Sequence, residues 1–447
     1  MKAQHDGRPA GDGFLISRRH SHGVLLLLFV LMLFDFIDRQ VLAALLPYIK
    51  AEWQLSDTEL GTLVSAVNVA IAVLAFPTAV IVDRWSRTKS IGVMAVLWSL
   101  ATAACSFATS YPQMLAARLL VGTGEAGYSG AGTSLLAAIY PARLRSTVIG
   151  IYQAAGMVGT LLGVVLGGLI ATRWGWRSAF GVVALPGLIA AIAVFFVRDY
   201  QTVALKVVDA KTQSFRNIHW HEVALKIFTT PVLLVLFVGQ AAQFFFVGTL
   251  GNWLPSFFNR VYGMPLNVAG MRTGLVLLVA ASGMVLGGWV IDKLIQSMPR
   301  ARLIGPAVFS LMTSGLFFSA FSLPAGGLQQ ALLYGGAFFM MGVIGPVIAA
   351  IQNLVHPGMR STAAGSTALT TNLFGMALGP IVAGIVSDRT DLQSALMFIS
   401  AAPLVAALAY MAASFMYARE AAKFTNVVMA AEPGAGPMPL PTAPSSP

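Results

Sequence analysis

The sequence predicts an all-α membrane protein of twelve transmembrane helices in two six-helix bundles, with both termini cytoplasmic. Three observations predict it. Apolar residues make up 57% of the chain and charged residues 10%, with a mean hydropathy of +0.77, whereas a soluble chain carries about 25% charged residues. The apolar residues gather into runs of about 20, the length that crosses a bilayer core. The signposts between those runs return in the second half of the chain in the same order. This composition excludes a cytosolic enzyme, a nucleic-acid binder and a disordered scaffold.

With Pro, Gly and charge clusters as punctuation, the spans are 23–49, 57–82, 88–108, 112–137, 146–171, 177–197, 231–258, 266–291, 302–322, 328–354, 361–387 and 393–417. The bundles are therefore 23–197 and 231–417. Arg18 and Arg19 precede an apolar run from Val24 to Phe34, as in a secretory signal. The apolar helix continues through Asp38 and eleven spans follow, so the run is read as an uncleaved first span. Residues 1–22 and 418–447 read as largely disordered cytoplasmic ends, the latter rich in Pro, Ala and Ser. Residues 198–230 form a cytoplasmic linker with an amphipathic segment around Phe215 to Phe228, suited to the membrane surface.

Orientation follows from Lys and Arg. With the amino terminus inside, the outer segments hold only Lys50, Arg173, Arg177, Arg260, Arg272 and Arg389. Arg39 and Arg118 lie within spans, and the rest of the 28 basic residues fall on the inner side. The net charge of +11 is thus a topology signal for a multi-pass protein of the plasma (inner) membrane, with no nucleic-acid partner. The single cysteine, Cys105, excludes a disulfide framework or a cysteine metal cluster. The six histidines lie in polar segments and no phosphate-binding loop occurs, so neither a metal nor another cofactor is expected.

The repeat is an ordered series. Leu46-Pro47, Gly61 and Asp83-Arg84 return as Leu254-Pro255, Gly270 and Asp292-Lys293 at offsets of 208 or 209. Arg145-Ser146-Thr147, Gly163, Gly168 and Ser178-Ala179 return as Arg360-Ser361-Thr362, Gly379, Gly384 and Ser394-Ala395 at 215 or 216. Two repeated halves related by an axis along the membrane normal place a binding site between them at mid-depth.

Further motifs carry a family resemblance. The segment Ala79 to Lys89 (AVIVDRWSRTK) resembles the loop between spans two and three of the major facilitator superfamily. Its Asp83-Arg84-Trp85-Ser86-Arg87 form is similar to the bacterial Spinster-type branch, as are Ile37-Asp38-Arg39, Leu55-Ser56-Asp57-Thr58, the run Gly122 to Gly127 (GTGEAG) and Trp174-Gly175-Trp176-Arg177. The anion:cation symporter branch shares the Asp-Arg and Arg-to-Glu pattern. Ala79, Ser86, Gly130, Ala138 and Asp35 depart from the family pattern. The resemblance implies the major facilitator fold and secondary active transport by alternating access. It also implies a cytoplasmic latch that includes Asp83, and relatives that carry lysophospholipids and sphingoid phosphates.

Five ionisable residues lie deep in spans: Asp35, Asp38, Arg39, Arg118 and Glu125, all in the first half. Each costs about 2.5–3.5 kcal/mol at mid-bilayer on insertion scales, so each needs a partner and a reason. At a rise of about 1.5 Å per residue, Asp35 and Asp38 lie roughly 18 and 22 Å from the inner end, and Arg118 and Glu125 roughly 9 and 20 Å below the outer end. Asp38 then lies at a level between Glu125 and Arg118. Tyr334 and Met341 stand at the places in the second half that correspond to Arg118 and Glu125. Burial favours a neutral carboxyl and a nearby Arg an ionised one, so a change that swaps the cationic neighbour loads or releases a proton. This makes Asp38 and Glu125, with Asp35, candidate proton-coupling residues, as the resemblance also implies for the first two. A fixed ion-pair network between spans one and four would use the same groups, and Arg39 and Arg118 can alternatively clamp an anionic substrate.

Asp83 with Arg84 and Arg87, and Asp292 with Lys293, form the candidate cytoplasmic gate, the acid facing a helix amino end near Ser361. Glycines of spans five and eleven suit close helix packing, and Ser56-x-x-Glu59 is a helix-starting capping box. The candidate cavity combines Tyr128, Tyr152 and Gln153 with Gln240, Gln243, Asn252, Phe339 and Asn372, beside further Phe and Met of the second half. One polar and one apolar side favour an amphipathic, anionic or lipid-like molecule. The expected protein is a monomeric, proton-coupled transporter of such a molecule, its partners being protons, membrane lipids and that substrate. Small organic anions are the alternative cargo, and a non-transporting membrane sensor is the alternative class. An enzyme is not expected, because the spans lack a nucleophile and base pair.

Overall fold

A computed structural model describes residues 17–84, 87–141, 144–197, 228–298, 300–355 and 360–430. They are helical almost throughout, with no strand among them. The first half comprises α1 (Arg18–Trp53), α2 (Asp57–Arg84), α3 (Arg87–Cys105), α4 (Tyr111–Glu125), α5 (Tyr128–Ile139), α6 (Arg145–Trp174) and α7 (Trp176–Val194). The second half comprises α8 (Pro231–Tyr262), α9 (Leu266–Ser297), α10 (Ala301–Ser322), α11 (Gly327–Met341), α12 (Ile344–Asn353) and α13 (Arg360–Thr370). A π-helical turn over Thr371–Ala377 then leads into α14 (Leu378–Arg389), α15 (Leu392–Ile399) and α16 (Ala402–Ala430).

Ten helical stretches are long and apolar enough to cross a membrane, against twelve expected spans. The first and fourth expected spans are not among the ten. The middle of α1 carries Asp35, Asp38 and Arg39, and the fourth span is broken at Ala126–Gly127 between α4 and α5. The tenth span breaks in the same way, between Met341 and Ile344. Glu125 is the last residue of α4 and Met341 the last of α11, so the two breaks fall at places that correspond in the repeat.

Both helical ends reach further than the sequence suggests. Helix α1 begins at Arg18, with the Ser17 side chain accepting from the His20 N–H, so residues 18–22 are helical instead of disordered. The last helix continues to Ala430, past the expected boundary at 418. The amphipathic segment expected at 215–228 lies outside the described residues, apart from Phe228.

Two seams join the halves, and each is closed by glycines. Gly61 of α2 lies against the Pro380 carbonyl of α14, and Gly384 of α14 against the Asp57 carbonyl of α2. The other seam repeats the arrangement. A Cβ on Gly168 of α6 would lie 2.7 Å from the Leu266 oxygen of α9, and one on Gly270 of α9 would lie 2.8 Å from the Val164 oxygen of α6. No side chain fits at any of the four, which is how small residues let membrane helices approach. All these contacts lie at the end of the bundle that holds Lys50, Asp57 and Arg260. One core cluster, which includes Leu46, Leu63, Leu254 and Ala383, crosses between the halves at that end. Two further clusters fill the first and second halves separately.

Candidate functional site

The intramembrane charges converge. On α1 the spacing of Asp35 and Arg39, four residues apart, puts them on one helix face, and Arg39 Nε donates to Asp35 Oδ1 at 3.2 Å. Helix α4 brings two more groups to the same place. Arg39 lies 2.8 Å from Glu125 Oε2, and Arg118 lies 3.5 Å from Asp38 Oδ1. The other Asp38 oxygen accepts a hydrogen bond from the Thr102 hydroxyl of α3 at 2.5 Å.

Asp35, Asp38, Arg118 and Glu125 are each 4% exposed or less, while the Arg39 side chain is 22% exposed. Arg39 is therefore the least buried member of the set. It also joins two carboxyls, leaving Asp38 to Arg118. Depth reasoning places Asp38 between Arg118 and Glu125, and the structure gives each of the two acids its own arginine. Thr102 was not legible in advance, because a lone Thr in an apolar span carries no mark of its partner.

The charges do not balance. Three carboxyls face two guanidiniums, and a buried charge without a counter-charge is expensive. A proton on one carboxyl removes the excess. Glu125 stands at the break of the fourth span, and interrupted membrane helices are where transporters build ion and substrate sites.

The expected cavity residues separate into two groups. Tyr128 and Tyr152 are fully buried in the first-half core, Tyr128 donating to the Leu28 carbonyl at 3.3 Å and resting edge-on against Trp98. Gln243 donates to the Met340 carbonyl at 2.8 Å and accepts from Ser310 at 3.2 Å, while Gln240 accepts from Tyr410 at 3.3 Å. Both glutamines are fully buried, so in this conformation they tie helices together instead of lining open space. Asn252 is also buried and bonds back to the Gly248 carbonyl. Gln153 is exposed, and Phe339 and Asn372 are half-buried. Of the further Phe and Met of the second half, Phe246, Phe317 and Met340 are core residues.

Of the expected cytoplasmic gate, Asp292 and Lys293 are exposed, with the Lys293 ammonium 4.0 Å over the Trp289 ring. The side chains of Asp83, Arg84 and Arg87 lie outside the described residues. A different charged cluster, at the opposite end of α2, was missed. Asp57 accepts from both Arg260 nitrogens at 2.7 and 2.8 Å, from Lys50 and from Ser387. The available signal was an acid beside the capping box and lone basic residues on the poorly charged outer side.

A helical chain with paired seams, broken fourth and tenth spans and, among the described residues, its deep intramembrane charges in one half matches a known family over most of its length. The sequence model of the Major Facilitator Superfamily covers residues 28–380. The chain belongs to that superfamily. The hexuronate transporter of Bacillus subtilis (strain 168) is 25% identical over 380 residues, 82% of this chain and 88% of the relative. Protein spinster homolog 1 of Xenopus tropicalis is 25% identical over 405 residues, 86% and 76% of the two chains. A solved bacterial homolog to the human lysosomal transporter Spinster, described as inward-facing and unoccupied, superposes with a TM-score of 0.81 at 22% identity. It covers 91% of this chain and 99% of its own. These matches are to multi-pass membrane transporters of small molecules, not to enzymes.

Proposed function

We propose that this major facilitator protein is a proton-coupled symporter of organic anions. In this reading twelve spans form two six-helix bundles, 23–197 and 231–417, in the plasma membrane, with both termini and the linker cytoplasmic. The observation that carries the reading is the surplus carboxyl in the buried set, together with Arg39 as its least buried member.

The coupling follows from that count. With Asp35, Asp38 and Glu125 all ionised, Arg39 is held by two carboxylates. A proton on Glu125 releases one side of the Arg39 fork, which can then take a substrate carboxylate in the two-point geometry that guanidinium groups favour. Proton and anion thus enter together, and neither leaves the buried set with a larger charge excess. The end that holds Asp57 is packed shut, so the site communicates with the cytoplasmic side, and proton release there follows when Arg39 returns to Glu125.

Small organic anions are the first candidate cargo. The least buried cation of the set is single, and two of the aromatic residues expected to receive an apolar body, Phe246 and Phe317, are core. The hexuronate relative supports the same class. A second reading, an amphipathic anion, is favoured by an apolar groove of about 600 Å³ lined by residues that include Phe237, Val238, Phe245, Phe374 and Val405. Flux into proteoliposomes under an imposed pH gradient tests the proposal. Accumulation that Asp38→Asn and Glu125→Gln abolish, with folded protein retained, is expected; wild-type rates in either variant refute the coupling. Competition by short acids but not by long-chain amphiphiles selects the first cargo over the second.

A further inference from the structure

We infer that the Asp57 cluster is an ionic latch between the halves, closing the outer mouth in the conformation seen here and parting when the transporter faces outward. The inference rests on the alternating-access reading above.

The cluster is built from both halves. Lys50 and Asp57 belong to the first, and Arg260, Ser387 and Asp388 to the second. Asp57 is 2% exposed, yet its carboxylate is fully served. Arg260 donates to both oxygens at 2.7 and 2.8 Å, and Lys50 and Ser387 donate one bond each. Among the described residues, Arg260–Asp57 is the ion pair that crosses from one half to the other.

The start of α2 extends the latch through its backbone. A helix begins with N–H groups that have no partner inside it. The Glu59 N–H goes to the Ser56 hydroxyl of the capping box at 3.1 Å. The two before it go across the seam: Asp57 N–H donates to Asp388 Oδ1 at 2.7 Å, and Thr58 N–H donates to Asp388 Oδ2 at 2.9 Å. The Thr58 hydroxyl donates to the same oxygen at 2.6 Å. Asp388 lies in the last turn of its own helix, α14, where a negative charge opposes the helix dipole. The amino end of α2 reverses that unfavourable placement, but only while the seam is closed.

Parting the seam therefore strips Asp57 of its guanidinium fork, uncaps α2 and strands Asp388. The Arg260 and Lys50 side chains are 26% and 34% exposed, so water reaches the cluster and replaces what is lost. That combination gives a bond between halves strong enough to bias a two-state equilibrium and weak enough to reverse.

The experiment places spin labels at the exposed positions Gln54→Cys and Thr390→Cys in a Cys105→Ser background and measures their separation without substrate. Asp57→Asn and Arg260→Ala are expected to add a longer distance, lowering the ratio of closed to open molecules about ten- to a hundredfold, the scale of one lost charge-assisted bond. Because the two residues share one contact, the double variant goes little further than either single one. Glu52→Gln, whose partners Trp176 and Arg177 stay within the first half, leaves the distances as in the parent. Parent distances in both Asp57→Asn and Arg260→Ala overturn the latch and leave a passive seam. If Asp57→Asn does not fold, Arg260→Ala and Asp388→Asn decide by the same distances. The measurement needs no transport, so absent flux in the parent with a widened distance in the variants refutes the transport reading and keeps the latch.

Discussion

The α2–α14 seam and the α6–α9 seam are built on the same backbone contact with different chemistry. In each, a glycine lies on a carbonyl at the start of the opposing helix, Gly384 on Asp57 and Gly168 on Leu266, and a second glycine answers it, Gly61 on Pro380 and Gly270 on Val164. The residues correspond at the offsets read from the sequence, 209 and 216. At the first seam the opening residue is Asp57, held by Arg260, Lys50 and Ser387. At the second it is Leu266, buried as part of the apolar interior. The difference teaches that the repeated framework fixes where helices meet, while the residue at each meeting point sets whether it carries charge. The broken spans say the same: Glu125 ends α4 at an ion pair, and Met341 ends α11 among apolar neighbours.

The comparison breaks most severely at the glycines. Gly384→Val and Gly168→Val each drive a side chain into a backbone carbonyl, and both are expected to prevent outer closure. Overpacking of this kind costs about 1–3 kcal/mol or more, which would show as a widened spin-label distance and a lower melting temperature in detergent. An equal effect at the two seams supports a shared framework; a silent Gly168→Val would break the equivalence.

The buried charges give the second contrast. Asp38→Asn and Glu125→Gln should lose proton-driven accumulation while keeping folded protein, because each neutralises a member of the charge set. Arg118→Ala is expected to be worse for stability than either, since it leaves Asp38 with only Thr102 and an unpaired buried charge costs several kcal/mol, about 3–5 in soluble proteins. Thermal unfolding of the three variants side by side gives the order. Introducing Glu at Met341 supplies an acid without an arginine and should destabilise the second half, sharpening the contrast between the two breaks.

Smaller effects are expected at the outer ion pairs. Arg260→Ala changes the closed-to-open ratio and should make that ratio less sensitive to salt, because the pair it removes is partly exposed. Glu52→Gln is expected to change unfolding by less than about 1 kcal/mol, as exposed pairs do. Its partner Arg177 is 38% exposed and packs on the Trp176 ring whether or not the pair forms.

Much of the fold was legible because membrane spans announce themselves. Runs of apolar residues and the repeated Gly and Asp signposts need no tertiary information. The five intramembrane charges stood out for the same reason, since no other Asp, Glu, Lys or Arg lies in the middle of a span. Pairing was harder. Sequence spacing puts Arg39 beside Asp35, but whether Glu125 meets Arg39 or Asp38 depends on how α4 is rotated, which rests on packing between Gly124 and Trp98. The buried Gln240 and Gln243 show that one signal has two readings. A polar side chain in an apolar span suggests a cavity, yet inter-helix hydrogen bonding satisfies it equally well. Asp388 was invisible because its role is to cap a helix from a residue 331 positions distant.

The central claim is that the buried set of three carboxyls and two guanidiniums holds an exchangeable proton. Infrared titration of the purified protein in lipid, with Asp35→Asn, Asp38→Asn and Glu125→Gln as assignments, tests it most directly. The account predicts a protonated-carboxyl band near neutral pH that disappears in one of these variants and fades as the pH is raised. Three fully ionised carboxylates across that whole pH range would contradict it.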